Sequence, residues 1–421
     1  MKLENLLQKT KNAILLAGSL IYLNSCSPLV IKDFDKIYKK DFPMAELEIS
    51  KFGSQIDYQN ARNISVGKNG AIAFEYAIDD ANSDILLIKD DKIYRITDFP
   101  GYEGEPQINA EETKIVFTSD KEESSNIFLA ELKNKKLIQL TKNKTNYNPS
   151  INADGTKISY TGESQESDAD IYLIDLEKKE ITNLSNGEFG DYQSCISGDG
   201  NRIAFISEQK GSSIFIKDAR TDELILINQN YNKKYFNPKL NYDGAKIVYE
   251  EKTEANESGT ILFKNLEAHT ELSWPLNKGY DGEPNIDSAG NFISWISRQA
   301  GVYEKKKFPF DDKRKKVKTI RKDEYGNIKY GLLGSVKFEY KKAEPKIKIV
   351  NTKTGYSEVI ENQIPKNQMG TYISTISQDG KKIIVFNKEN KNKNYQIENP
   401  LCNQKSEIDD ALLLEKSLRG K

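Results

Sequence analysis

From Asn148 to Gly190 the apolar and polar residues sort into four short runs, Pro149–Asn152, Lys157–Thr161, Asp170–Asp175 and Lys179–Leu184. Asp154-Gly155 separates the first pair, a polar Ser/Glu/Asp stretch the second, and Glu177-Lys178 the third, each with the turn chemistry that joins antiparallel neighbours. The pattern predicts a four-stranded meander, and it recurs. The glycine of the Asp-Gly turn, or its counterpart, stands at Gly70, Glu112, Gly155, Gly200, Gly244, Gly290 and Gly380. Steps of 42 to 46 residues are followed by one of 90. An aromatic precedes each first strand, at Tyr58, Tyr102, Tyr147, Tyr192, Phe236, Tyr280, Tyr325 and Tyr372. Reading the long step as two periods, with a worn repeat around Ser335, gives eight units; seven is the alternative.

Four strands every 40 to 45 residues are the signature of a β-propeller blade, because one such sheet cannot bury its own faces and must pack radially against its neighbours. The expected fold is all-β, a single propeller of four-stranded antiparallel blades over residues 44–402. The last unit, from Ile373, shows only three strand patterns. Ala45–Lys51 alternates correctly and is expected to supply the fourth, closing the ring and removing two free edges. Beyond residue 402, Ser406 and Asp409 can cap a helix whose Ile408, Ala411, Leu412, Leu414 and Leu418 fall at helical spacing. Residues 403–421 are therefore expected to form a short amphipathic helix or tail.

Blades reading INADGTKISYTG and ADIYLIDLEKKEITNLS resemble the TolB-type propeller repeat of bacterial envelope proteins, which runs Pro-x-x-Ser-x-Asp-Gly, a hydrophobic strand, an Ile-Tyr-x-x-Asp strand and a Leu-Thr ending. The likeness covers roughly residues 61 to 400. It implies a non-catalytic scaffold that binds other envelope proteins, peptidoglycan-associated or outer-membrane components among them.

The chain opens with an export signal over residues 1–25: Lys2, Lys9 and Lys11 precede an apolar run from Ala13 to Leu23 that is short for a membrane span. Leu23-Asn24-Ser25-Cys26 resembles a bacterial lipobox with a relaxed, spirochaete-like choice before the cysteine. Cys26 would then carry lipid, and residues 26–43 would tether the propeller close to the membrane. An ordinary signal peptide with an incidental cysteine is the other reading. The expected location is an outer-membrane-anchored lipoprotein on the periplasmic face, with surface exposure and an external ligand as the alternative.

Charge and chemistry narrow the function further. A net charge of −1 implies no nucleic-acid partner. One histidine, His269, falls on an outer turn, so a catalytic triad or histidine-rich metal site lacks material. No Gly-x-Ser-x-Gly occurs, and Cys195 and Cys402 are expected to be free. An enzyme, a cofactor and a metal are not expected, and a carboxylate-dependent hydrolase is the only catalytic alternative. The basic segment 304–324 could touch anionic lipid or an acidic partner, or simply extend outer strands into solvent.

The candidate site lies in the loops entering the first strands. FPGYEGEP (Phe99–Pro106) and NKGYDGEP (Asn277–Pro284) are nearly identical and, with eight blades, would face each other across the axis. They bring Tyr102, Glu103, Glu105, Tyr280, Asp281 and Glu283 to one mouth of the channel. GEFGDYQS adds Asp191 and Tyr192, and the neighbouring blades add Tyr147 and Tyr235. Aromatic anchors beside acids suit a protein or peptide with basic or amide groups. The carboxylates would also suit calcium, and the tyrosines could instead be wedges between blades. A monomer is expected.

Overall fold

A computed structural model describes residues 29–31, 45–46 and 50–51, residues 60–299 with short breaks, and separate segments between 302 and 401. It is an all-β propeller with six four-stranded antiparallel blades, and the described residues contain no α-helix. Blade three, for example, comprises Asn146–Ile151, Lys157–Gly162, Asp170–Asp175 and Glu180–Asn183, within two or three residues of the sequence pattern. Blade one begins at Ala61 and blade two at Glu103; blades four, five and six begin at Asp191, Lys233 and Gly279. A three-stranded sheet follows, of Tyr372–Ile376, Lys382–Asn387 and Asn394–Glu398.

The expectation of eight blades, and its alternative of seven, is corrected to six, and blade six accounts for the long step. Its second strand, Phe292–Gln299, pairs directly with Lys346–Asn351, so the 90-residue step is one blade carrying an insertion between its second and third strands. Inside the insertion Val302–Lys307 pairs with Val336–Lys341, and Arg321–Lys322 with Ile328–Lys329. Ser335 and Tyr325, read as marks of a separate repeat, lie outside the described residues.

The N-terminal strand is also placed differently from the expectation. Ala45 and Glu46 pair with Leu137 and Lys136 on the outer strand of blade two. Ser50 and Lys51 pair with Arg95 and Tyr94 on the outer strand of blade one, and Leu29–Ile31 with Asn183–Ile181 on that of blade three. The described parts of the segment thus cover the rims of three blades, and none of them pairs with the C-terminal sheet. Those outer strands offered an unpaired row of backbone groups, which is what an extended segment satisfies. The predicted C-terminal helix and the remainder of the tether lie outside the described residues.

The core is divided among the spaces between sheets. Second strands such as KIVF, KISY and RIAF read as nearly continuous apolar runs because both faces are covered. Ile115, Phe117 and Phe128 of blade two pack with Ile85 and Leu87 of blade one, while Val116, Ile127 and Leu129 turn the other way onto Ile158 and Tyr160 of blade three. At about 1.5 to 3 kcal/mol for each fully buried large side chain, these layers are the main cohesion between blades. Ile384 of the C-terminal sheet joins Ala61, Ile72 and Phe74 of blade one, and Ile383 and Val385 join Ile347 and Ile349 of blade six.

A second device links neighbours at the Asp-Gly turns. In blades two to four the base opening the second strand reaches the carbonyl of the next blade's turn glycine: Lys114 Nζ to Gly155 (2.8 Å), Lys157 Nζ to Gly200 (3.2 Å) and Arg202 Nη1 to Gly244 (3.2 Å). Blade one has Ala71 at that place and no base to offer. There Glu112, which takes the glycine position of blade two at φ 57°, reaches back and accepts the N–H groups of Asn69 and Ala71 at 2.7 and 3.0 Å.

Candidate ligand-binding channel

The inner strand of every blade carries a bulge. Pairing with the second strand slips between Arg62 and Ser65, Gly104 and Gln107, Tyr147 and Ser150, Tyr192 and Cys195, Phe236 and Lys239, and Gly282 and Asn285. The residue just after the first of each pair is left-handed: Asn63, Glu105, Asn148, Gln193, Asn237 and Glu283, at φ between 46° and 57°. Asn tolerates that region through its short polar side chain, whereas Glu and Gln are held there by their surroundings. A bulge re-aims its side chain. All six residues line one axial cavity of about 440 Å³, together with Arg62, Gln107 and Lys239.

Hydrogen bonds between blades fix this ring. The Asn148 N–H donates to Glu105 Oε2 at 2.6 Å and its side-chain amide to Glu105 Oε1. The Asn237 N–H donates to Gln193 Oε1 at 2.9 Å, and the Glu283 N–H to Glu250 Oε1 at 2.7 Å. Within blade one, the Asn63 side-chain amide donates to Glu75 Oε2 at 2.7 Å. Glu75 and Glu250 occupy the same place on the second strands of blades one and five, and both are buried; Lys252 lies 3.2 Å from Glu250. Burial pushes the Glu105 carboxyl up, against the Asn148 N–H and Thr118 hydroxyl that favour its charged form. Arg62, Asn63 and Glu283 remain exposed at the mouth. Further along the inner strands, Ile64, Ser150, Cys195, Asn285 and Thr375 line a second cavity of about 160 Å³.

Of the ten residues expected at the mouth, Glu105 and Glu283 line the cavity. Glu103 and Asp191 are buried between blades. Glu103 accepts the Ser119 hydroxyl at 3.1 Å, and burial raises its carboxyl to about 8; burial raises Asp191 to about 7. Tyr235 is a core wedge, edge-on to Tyr249 at 5.8 Å, its phenol pushed up by burial to about 12. Tyr147 and Tyr192 stand one residue before the ring and outside the cavity lining, the Tyr192 hydroxyl 2.5 Å from Glu208. Tyr102 folds its phenol over Gly104, where a β-carbon would meet the hydroxyl at 2.0 Å. All three phenols are raised by burial. Tyr280 and Asp281 lie on the strand Gly279–Ile286, with side chains outside the described set, and Cys26 lies outside it altogether.

The sequence reading missed Arg62, Asn63, Asn148, Gln193, Asn237 and Lys239. A signal existed: NISV, EPQI, NPSI, QSCI, NPKL and EPNI each put the ring residue three places before the last apolar residue of the inner strand. Reading the aromatics as the marker hid it, since Tyr102 precedes its ring residue by three places and Tyr147 and Tyr192 by one.

No protein-family model matches the chain, and no curated protein does. Many solved structures share its fold. TolB from Acinetobacter baumannii aligns at 14% identity over 69% of this chain and 63% of its own length, with a TM-score of 0.46. TolB proteins are therefore among the structural neighbours, although this chain spans less than two thirds of that one. An oligogalacturonate lyase from Vibrio parahaemolyticus aligns at 10% identity over 81% of this chain and 94% of its own, with a TM-score of 0.53. A second such lyase, in complex with manganese, gives 11%, 84% and 96%, also at 0.53. Likeness at these identities shows the propeller fold alone. Among the described residues no three His, Cys, Asp or Glu side chains cluster to hold a metal ion, and His269 sits on an exposed outer turn at φ 50°.

Proposed function

We propose that this chain is a membrane-anchored, non-catalytic propeller of the bacterial cell envelope that binds an extended segment of another envelope protein at the channel mouth. The observation that carries the reading is the ring of Asn63, Glu105, Asn148, Gln193, Asn237 and Glu283, with Arg62 and Lys239 beside it. Four side-chain amides and two carboxylates stand there at equivalent places on successive blades, which suits the spaced donors and acceptors of a polypeptide backbone with basic or amide side chains. The TolB-like repeat supports an envelope scaffold, and the lipobox-like Leu23–Cys26 supports an anchor. The Ile384 contact with blade one supports a ring closed by the C-terminal sheet.

A photo-crosslinking residue at Glu283 in the full chain, expressed in the native host, is expected to capture a discrete envelope protein. The same residue at His269, exposed on the outer turn of blade five, is expected not to. Identical products from both positions, or loss of none of them when Arg62, Lys239 and Glu283 are replaced by Ala, would sink the proposal. Protease added to intact cells separates the location: survival supports the periplasmic face, whereas digestion favours a surface lipoprotein with an external ligand.

A further inference from the structure

The way the N-terminal strand meets the rim decides where a lipid on Cys26 would sit. Leu29 pairs with Asn183 at the end of the outer strand of blade three from which the chain continues, through Phe189, into blade four. Only Ser27 and Pro28 separate Leu29 from Cys26, so Cys26 lies within roughly 10 Å of that rim even if the link is fully extended. A short link leaves the propeller little freedom to turn.

The apolar surface is concentrated beside that point. Among the described residues six large apolar side chains are exposed, and Phe189, Leu224, Leu226 and Tyr231 all fall on blade four or the loops flanking it. Leu224 and Leu226 alternate with Ile225 and Ile227, which turn inward onto the layer shared with blade five. The two leucines therefore face the blade-three side of the rim, where the N-terminal strand lies. Among the described residues no strand pairs with the outer edge of blade four, in contrast to blades one to three. Charges on this rim are of both signs, Lys178 and Arg220 against Glu177 and Glu223. An anionic surface has no special claim on it.

We propose that the blade-three/blade-four rim, with Phe189, Leu224, Leu226 and Tyr231, is the face that rests on the lipid bilayer, seated there by acylated Cys26. The inference depends on Cys26 carrying lipid, as proposed above. It adds a fixed orientation, with this rim against the headgroup region and blade one turned away. Two acyl chains supply the anchoring, and partial burial of four apolar side chains in the interface supplies the orientation.

The test uses the full lipidated protein in phosphatidylethanolamine/phosphatidylglycerol vesicles. Nitroxides are placed singly at Phe189→Cys, Leu226→Cys and Tyr231→Cys in a Cys402→Ser background, with Ile78→Cys and Tyr242→Cys as exposed controls; Cys195 is buried and does not label. On vesicle binding, collision with oxygen relative to a water-soluble nickel chelate should rise severalfold at 189, 226 and 231 and stay unchanged at 78 and 242. Acylated, vesicle-bound protein with all five labels equally wet would overturn the orientation and leave the anchor intact. Protein that fails to float and carries no lipid on Cys26 by mass spectrometry would overturn both. Dipolar broadening of the 226 label without vesicles would assign the rim to a second copy and overturn the bilayer assignment.

Discussion

Replacing Glu103 by Gln should make the propeller more stable at pH 8 and nearly unchanged at pH 5. Glu103 is fully buried between blades one and two; Ser119 donates to one carboxyl oxygen and the other makes no well-formed hydrogen bond. Burial, with Asp84 and Asp120 nearby, raises the folded carboxyl to about 8 from an unfolded value of 4.5. Between those values the folded chain holds the proton and the unfolded chain has released it, so unfolding releases a proton and stability falls as pH rises. At about 1.4 kcal/mol for each pH unit, the loss across the window is on the order of 4 kcal/mol, an upper bound because local relaxation lowers it. Gln is neutral at every pH and keeps an oxygen for the Ser119 hydroxyl. Urea unfolding at half-unit steps from pH 5 to 8 should show the variant within about 1 kcal/mol of the parent at the acid end and ahead by about 2 to 4 kcal/mol at the alkaline end. A parent and variant with parallel pH profiles would show that Glu103 does not hold its proton, and the reasoning would fall. Asp191→Asn, at the blade three to four boundary, should repeat the effect with its midpoint about one unit lower, following its value of about 7.

Glu112→Gly restores the glycine of the other turns and relieves a left-handed residue by about 1 kcal/mol. It should nevertheless destabilise by about 1 to 2 kcal/mol in urea, because the Asn69 and Ala71 N–H groups lose their acceptor; a net gain would refute the back-reaching role. Lys114→Met and Lys157→Met should each cost about 1 kcal/mol and add within about 0.5 kcal/mol, since they clasp different blade boundaries. Proline at both Ala45 and Ser50 should uncover the outer edges of blades one and two. The readout is concentration-dependent self-association in light scattering, and an unchanged monomer would show that these edges need no cover.

Much of the fold was legible because the cue is local and repeated. The turn glycines Gly155, Gly200, Gly244, Gly290 and Gly380 all adopt positive φ between 64° and 72°, and each opens a second strand buried on both faces. The count failed for a reason that no local cue exposes. An insertion close to one repeat in length entered blade six after Gln299, and the pairing of Phe292 with Asn351 that reveals it is long-range. The N-terminal strand was recognised as a strand from its alternation, but alternation does not say which of several free edges it will pair with.

The site divides along the same line. Seen singly, Tyr102, Glu103, Asp191 and Tyr235 look like surface chemistry, being aromatic or charged residues in Gly- and Pro-rich loops. The pairing register shows why most are interior. Glu103 lies opposite Ser119, Asp191 opposite Ser207 and Tyr235 opposite Glu251, at equivalent places on the second strands of three blades. One structural position is therefore buried in every case and filled by a carboxyl in two blades and a phenol in a third. The bulge then rotates the residue two places later toward the axis, and that residue is Glu105, Gln193 or Asn237. A single extra residue in the inner strand thus separates the position that seals the blades from the position that meets a ligand. Changes at Glu103 or Asp191 should register in stability, and changes at Arg62 or Glu283 in binding.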